Sequence, residues 1–241
     1  MIPKIIHYCW FGRGALSPLA RKCIESWRRF LPDYEIREWN EDNFDVNEIP
    51  YTAEAYQAKK YAFVSDYARF RVLYQYGGVY FDTDVEVIRP MDDILEKGPF
   101  MGFELLGEKM AVNPGLGLAT EPGMPLYEAI LERYGTMSFS LPDGSLNPYT
   151  MIPMVTELLR DYGLKGEGSV ETVADICVYP PDWFNPYDDL TGRLKKTGNT
   201  HTIHWYAKSW MEAEPAWKAA LKRVARRVLG KEFFLKLKRF S

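Results

Sequence analysis

YAFVSDYARFRVLYQYGGVYFDTD, residues Tyr61–Asp84, decides how the chain is read. Phe63 to Tyr76 is long, rich in apolar residues and free of Gly and Pro, so a helix is predicted there. Gly77-Gly78 ends it, at a position that commonly takes a left-handed residue. Val79-Tyr80-Phe81 then reads as a short buried strand, with Asp82-Thr83-Asp84 as its exit. Side chains at i and i+2 of an extended backbone point the same way. Both carboxylates are therefore expected to reach one point at the strand's end. Two hard oxygen ligands there suit a divalent cation, and a cation with open positions suits a diphosphate. A metal-dependent transferase acting on a nucleotide-sugar is the expectation that follows.

Upstream, Lys4 to Trp10 reads as a buried strand, Phe11-Gly12-Arg13-Gly14 as a break, and Pro18 to Phe30 as a helix. Glu35 to Trp39 is a second strand, so α/β units repeat. There is no GxGxxG and no Walker sequence, which removes the usual dinucleotide and P-loop readings. Trp10 sits where the first strand ends, and ligands of doubly wound sheets bind at such ends. It can stack on a nucleobase or serve as a core aromatic. Tyr51 to Lys60 is expected to be an exposed helix. Asp66 and Arg69, three apart, share a helix face. They form either a local ion pair or a donor–acceptor set for sugar hydroxyls. Tyr80, inside the apolar strand, is grouped with the residues near the nucleotide-sugar.

A strand ending in DxD also occurs in phosphatases of the haloacid dehalogenase type. That pattern wants Thr or Val two residues after the second Asp, where Glu86 stands, and puts its nucleophile on the first strand. Downstream, strands are expected at Phe100–Leu105, Leu116–Ala119 and Thr172–Tyr179, and a helix at Pro125–Tyr134. A further helix from Pro148 to about Tyr162 would take Asn147 as its cap. Asn113 and Asn147 are accounted for as turn and cap residues. Two of the three histidines lie in HTIHWYAKSW, residues 201–210. An imidazole from there can complete a metal shell beside Asp84, and a mixed oxygen/nitrogen shell leans toward Mn²⁺ over Mg²⁺. Lys208 can meet phosphate.

The chain has 241 residues, 46% of them hydrophobic, enough for one sizeable core. From Lys218 onward nine Lys/Arg face Glu232 alone, a balance of +8; with −3 overall, the preceding residues carry −11. An acidic body with a basic end does not read as a nucleic-acid binder. Residues 215–241 are expected to be a basic helical tail, either solvated or lying on an anionic membrane, with the membrane preferred. Three cysteines make no disulfide framework and fit a reducing compartment. The expected location is cytoplasmic, peripheral on the inner face of the plasma membrane.

IPKIIHYCWFG, FVSDYARFRVLYQYGGVYFDTDV and IHWYAKSW together resemble the DxD-motif sugar-transferring enzymes. That family includes the yeast mannosyltransferase initiating outer chains and bacterial capsule and lipopolysaccharide transferases, with the clostridial glucosylating toxins as distant relatives. The resemblance implies a GT-A fold over residues 1–214: one α/β domain with a Rossmann-like nucleotide half and a mixed central sheet. It implies that Trp10 stacks on the base, Asp66 and Arg69 hold the donor sugar, and Asp82 contacts ribose and sugar near the metal. Asp84 and His204 would bind the metal, with Lys208, Ser209 and Trp210 near the diphosphate. Ile203 stands where many relatives have a first His, and Asn147 where a Gly is common. The implied reaction moves a hexose from a nucleoside-diphosphate sugar, UDP favoured, to a hydroxyl of a glycan or lipid-linked oligosaccharide, retaining configuration. The alternative from another class is an inactive sugar-binding or membrane-associated scaffold of the same fold.

Overall fold

The computed structural model describes residues 1–107, 109–147 and 149–207. Strand β1 (Ile5–Cys9) leads through helix α1 (Pro18–Phe30) to β2 (Glu35–Trp39), which runs parallel to β1 with Ile5 opposite Glu35. The sequence of α1 explains its limits. Ser17 accepts the Ala20 N–H at 3.1 Å, Pro18 opens the first turn, and Arg28 and Arg29 close the last. Its buried residues are Ala20, Cys23, Ile24 and Trp27, the spacing of a helix packed on one side. Helices α2 (Pro50–Gln57) and α3 (Tyr61–Tyr76) follow. The expectation that α2 is exposed is corrected. Tyr51, Thr52 and Ala55 are buried, and the Tyr51 ring meets Tyr134 and Phe139 edge-on. Tyr51 and Ala55 lie one turn apart and make an apolar face that the neighbouring charges obscure.

Strand β3 (Gly78–Tyr80) runs parallel to β1 on the side away from β2. The corner before it needs both glycines. Gly77 and Gly78 have φ of 61° and 100°, and a Cβ at Gly78 would lie 2.6 Å from the Ile5 carbonyl oxygen. His7 pins this corner from β1. The Trp39 indole N–H donates to His7 Nδ1 at 3.0 Å, so the ring's proton resides on Nε2, which bonds the Gly77 carbonyl at 2.9 Å. Burial lowers the His7 pKa to about 4, against the pull of the Gly77 carbonyl.

That shift has a measurable consequence. Below about pH 6.5 the unfolded chain takes a proton on His7 that the folded chain refuses until about pH 4. His7 therefore removes roughly 3 kcal/mol of stability across that window, and none above it. Urea unfolding at pH 7 and pH 4.5 is expected to show a smaller loss in His7→Gln than in the parent. Parallel losses in the two proteins would remove His7 as a source of acid sensitivity.

Beyond the acidic turn come β4 (Val85–Val87), α4 (Asp92–Leu95), β5 (Phe100–Leu106) and β6 (Lys109–Val112). A 3-10 turn (Pro114–Leu116), β7 (Leu118–Thr120), α5 (Pro125–Gly135) and α6 (Met151–Asp161) follow. The last elements are β8 (Glu171–Val173), β9 (Ile176–Tyr179), α7 (Pro181–Phe184), β10 (Tyr187–Asp188), β11 (Arg193–Leu194) and β12 (Thr202–His204). Eight strands form a mixed sheet ordered β2-β1-β3-β7-β5-β9-β8, with β6 paired to β5. Tyr67, Phe70, Tyr127, Tyr134 and Val155 pack in one core cluster, which carries α3, α5 and α6. Trp27, Ile94 and Phe184 pack in a second, which carries α1, α4 and α7. The short pairs β10–β11 and β4–β12 stand apart from the large sheet.

Three local expectations are corrected. The segment Thr172–Tyr179 is two strands, because Ala174 and Asp175 take φ of 48° and 60° and fold β8 back antiparallel on β9. The segment Leu116–Ala119 begins in the 3-10 turn, and its strand starts at Leu118. Asn147 is not a helix cap: its side-chain oxygen accepts the Tyr149 N–H at 2.9 Å, and α6 begins at Met151. Pro148 and the tail helix expected over residues 215–241 lie outside the described residues. Among the described residues no helix is long and apolar enough to cross a membrane.

Candidate active site

The two aspartates converge by a different route from the one expected. Strand β3 stops at Tyr80, and the Val85 N–H closes a turn on the Asp82 carbonyl at 2.9 Å. The chain then returns as β4 and pairs antiparallel with β12, placing His204 opposite Val85. His204 Nε2 thereby lies 3.2 Å from Asp84 Oδ1. Asp84 is held on its other atoms as well: the Ala207 N–H donates to Oδ2 at 2.7 Å and the Trp205 N–H to its carbonyl at 3.0 Å. Helix α1 supports the same place, since the Trp27 indole donates to the Val85 carbonyl at 2.8 Å. Glu86 receives both Lys22 Nζ and the Trp205 indole N–H at 2.8 Å, fixing the residue after His204.

Asp66 and Arg69, from the interior of α3, meet Asp82. The Arg69 guanidinium, 3% exposed, lies 2.9 Å from Asp66 Oδ1, and its two Nη atoms reach Asp82 Oδ1 at 3.1 Å and Oδ2 at 3.2 Å. Its Nε donates to the Ser65 carbonyl at 3.2 Å, and the group sits 4.8 Å from the centre of the Tyr80 ring. The Tyr80 hydroxyl donates to Asp82 Oδ1 at 3.2 Å. Burial pushes the Asp66 carboxyl up to about 6 against the pull of Arg69. Burial also raises Asp82, with Asp84 adding to it and Arg69 opposing. Burial disfavours the ionised Asp84 too, but His204 and the Ala207 N–H outweigh it, and the carboxyl lies below its ordinary value. His204 is the mirror case: burial lowers it, and Asp84 with Asp82 outweighs burial.

Asp82, Asp84 and His204 each present a ligand atom within 4.8 Å of the other two. Two carboxylate oxygens and an imidazole nitrogen form a donor set that fits a divalent cation. The local charge agrees. Among the described residues, Asp66 and Asp82 face Arg69, and Asp84 with the nearby buried Glu104 faces His204, so acidic groups outnumber basic ones. His201 belongs elsewhere: its Nε2 lies 2.9 Å from Asp93 and its ring stacks on Trp183.

The sequence reading missed Glu104, and it accounted for Asn113 as a turn residue. Asn113 turns its Oδ1 to the Gly115 N–H at 2.7 Å and its Nδ2 to Glu104 Oε2 at 2.6 Å. Gly115 lies against the acidic pair, where a Cβ would come within 2.6 Å of Asp82 Oδ2. The Tyr206 hydroxyl also donates to Glu104 Oε2, at 3.1 Å. The only signal in the sequence is an acid inside the apolar strand FMGFELL, which as a lone residue is no motif. Trp10 is half-buried just past the end of β1, its backbone N–H bonded to the Trp39 carbonyl of β2 at 2.9 Å and its indole N–H donated to the Gly14 carbonyl at 2.6 Å. Lys208, Ser209 and Trp210 lie outside the described residues.

Residues 17–101 match the family described as a glycosyltransferase sugar-binding region containing a DXD motif. The match to this DXD region takes in α3, the double-glycine corner, Asp82 and Asp84, and stops before Glu104 and His204. An inositol phosphoceramide mannosyltransferase of Schizosaccharomyces pombe is 31% identical over 101 residues, which is 39% of this chain and 27% of that protein. An uncharacterized glycosyltransferase of Acanthamoeba polyphaga mimivirus is 28% identical over 138 residues, 55% of each chain. The matched stretch thus spans about a quarter of the one relative and about half of the other. The crystal structure of a glycosyltransferase involved in glycosylation of the major capsid of PBCV-1 superimposes with a TM-score of 0.51 at 11% identity. That likeness covers 86% of this chain and 95% of the other, and it shows a shared fold. The DXD region therefore sits in a mixed α/β fold of the GT-A type.

Proposed function

We propose that this chain is a metal-dependent glycosyltransferase that moves a hexose from a nucleoside-diphosphate sugar to a hydroxyl and retains the anomeric configuration. The observation that carries the reading is the meeting of Asp82, Asp84 and His204 from separate segments of a chain whose DXD region matches that family. Asp84 and His204, with Asp82, would hold the cation, Mn²⁺ or Mg²⁺. When bound, it neutralises the charge that grows on the diphosphate as the sugar departs. Arg69 fixes Asp82 in a two-pronged grip and opposes the upward push that burial and Asp84 exert on its carboxyl. With its guanidinium facing Asp66 and Asp82, Arg69 acts on the donor sugar through these carboxylates. Asp66 and Asp82 would accept hydrogen bonds from hydroxyls of the sugar and ribose, and Trp10 would offer a ring face to the base. Among the described residues no carboxylate is singled out as a covalent nucleophile, which favours same-face attack assisted by the leaving phosphate.

UDP is the favoured nucleotide. The S. pombe relative is a mannosyltransferase named for a lipid, which supports a lipid-linked or glycan acceptor. The division into a catalytic unit, 1–214, and a basic tail, 215–241, belongs to the same proposal. So does peripheral attachment to an anionic membrane on the cytoplasmic side, as in surface polysaccharide synthesis; nine basic residues against one acid support it.

The test is thermal-shift screening with UDP-glucose, UDP-galactose and GDP-mannose, each with and without Mn²⁺, followed by acceptor-free hydrolysis. A Mn²⁺-dependent shift together with slow sugar release is expected. Release of sugar without dependence on a divalent cation would overturn the metal's part. A shift with no turnover on any acceptor would favour the inactive scaffold.

A further inference from the structure

Glu104 is a nearly buried carboxylate, 5% exposed, that the reading above does not use. Its setting is unusual in two respects. Among the described residues its two hydrogen-bond donors, Asn113 and Tyr206, are neutral, and both go to Oε2. A glutamine would accept the same two bonds at a lower desolvation cost, so these contacts give no reason for a charge here. The two donors also lead to two different members of the proposed metal centre, Asp82 and His204. Asn113 opens the 3-10 turn that presses Gly115 on Asp82, and the Tyr206 ring lies 4.2 Å from that of His204. Glu104 also stands at the last buried position of β5, next to the exposed Leu105 and Leu106, at the boundary between core and solvent.

Resting on the transferase reading, we propose that Glu104 contacts substrate directly: with Oε2 clamped by Asn113 and Tyr206, its Oε1 accepts a hydrogen bond from a sugar hydroxyl. A carboxylate oriented by two donors on one oxygen is a fixed acceptor on the other. It selects a substrate that presents an O–H at that point and rejects one that lacks it. The hydroxyl belongs either to the hexose of the donor or to the acceptor, and the two sources separate experimentally.

The experiment is calorimetric titration of the intact chain and Glu104→Gln, in Mn²⁺, with UDP alone and with UDP-glucose, and GDP with GDP-mannose. It is paired with the KM for p-nitrophenyl α-mannoside as acceptor. If the donor supplies the hydroxyl, the variant binds nucleotide-sugar roughly tenfold or more weakly and free nucleotide equally well. If the acceptor supplies it, both affinities hold and the acceptor KM rises by a similar factor. Equal weakening of nucleotide and nucleotide-sugar, or no change in all three constants, overturns the assignment. Tyr206→Phe removes one clamp from outside and is expected to give the same pattern, smaller; it decides the matter should Glu104→Gln not fold. A parent chain that binds no nucleotide-sugar would sink the transferase reading itself, whereas binding by the parent with an indistinguishable variant sinks Glu104 alone.

Discussion

Asp84→Asn is expected to reduce sugar transfer by about a thousandfold or more while leaving the fold in place. Asp84 Oδ1 faces His204 Nε2 at 3.2 Å, and Oδ2 accepts the Ala207 N–H at 2.7 Å. The amide has the same shape, so its oxygen keeps the Ala207 bond and its NH₂ can face the imidazole. What disappears is the anionic ligand on which capture of the cation rests. The change in stability should stay near ~1 kcal/mol, because the substitution removes both an ion pair and the cost of burying a charge. Initial rates at saturating Mn²⁺, with unfolding curves alongside, make the measurement. Turnover within tenfold of the parent would remove Asp84 from the metal's shell.

Arg69→Met is expected to act in the opposite way, chiefly on stability. The guanidinium is buried between Asp66 and Asp82 and bonded to both. Without it two carboxylates share a poorly hydrated space with no cation between them. Removing one partner of such a buried cluster costs about 3–5 kcal/mol. For a chain of this size that is roughly 6–20 °C in Tm. Part of the loss should return at acid pH. Asp66, already pushed up to about 6 with Arg69 present, rises further without it and becomes neutral. Arg69→Lys should recover little, since an ammonium cannot hold Asp66 while gripping both oxygens of Asp82. Thermal unfolding of the three proteins at pH 5 and pH 7.5 checks both statements. A Met variant as stable as the parent at pH 7.5 would show that the two acids do not depend on Arg69.

Much of this was legible from short-range rules. Helix α1 declares itself by Ser17, Pro18 and its one-sided repeat, and α3 by its length and the double glycine. The DXD pair pointed to a candidate cation site because two hard oxygens one residue apart have few other uses behind an apolar strand, and the structure sets His204 beside it. The route by which the pair converges was not legible. The sequence shows alternation along a strand, whereas the structure uses a turn closed by the Val85 N–H and a partner strand from far along the chain. Glu104 was hidden for a related reason. Its meaning depends on Asn113 and Tyr206, and neither contact follows from spacing. The β8–β9 hairpin was missed because Ala174 and Asp175 take a conformation that their types rarely announce.

The pairing of β12 with β4 has a consequence for synthesis. Among the described residues no strand of the eight-stranded sheet lies beyond Tyr179, yet the imidazole that joins the two acids arrives only at residue 204. A chain emerging from the ribosome can therefore complete its large sheet while the acidic turn still lacks its nitrogen partner. On the proposed metal reading, competence to hold a cation would arrive late, after the scaffold has formed.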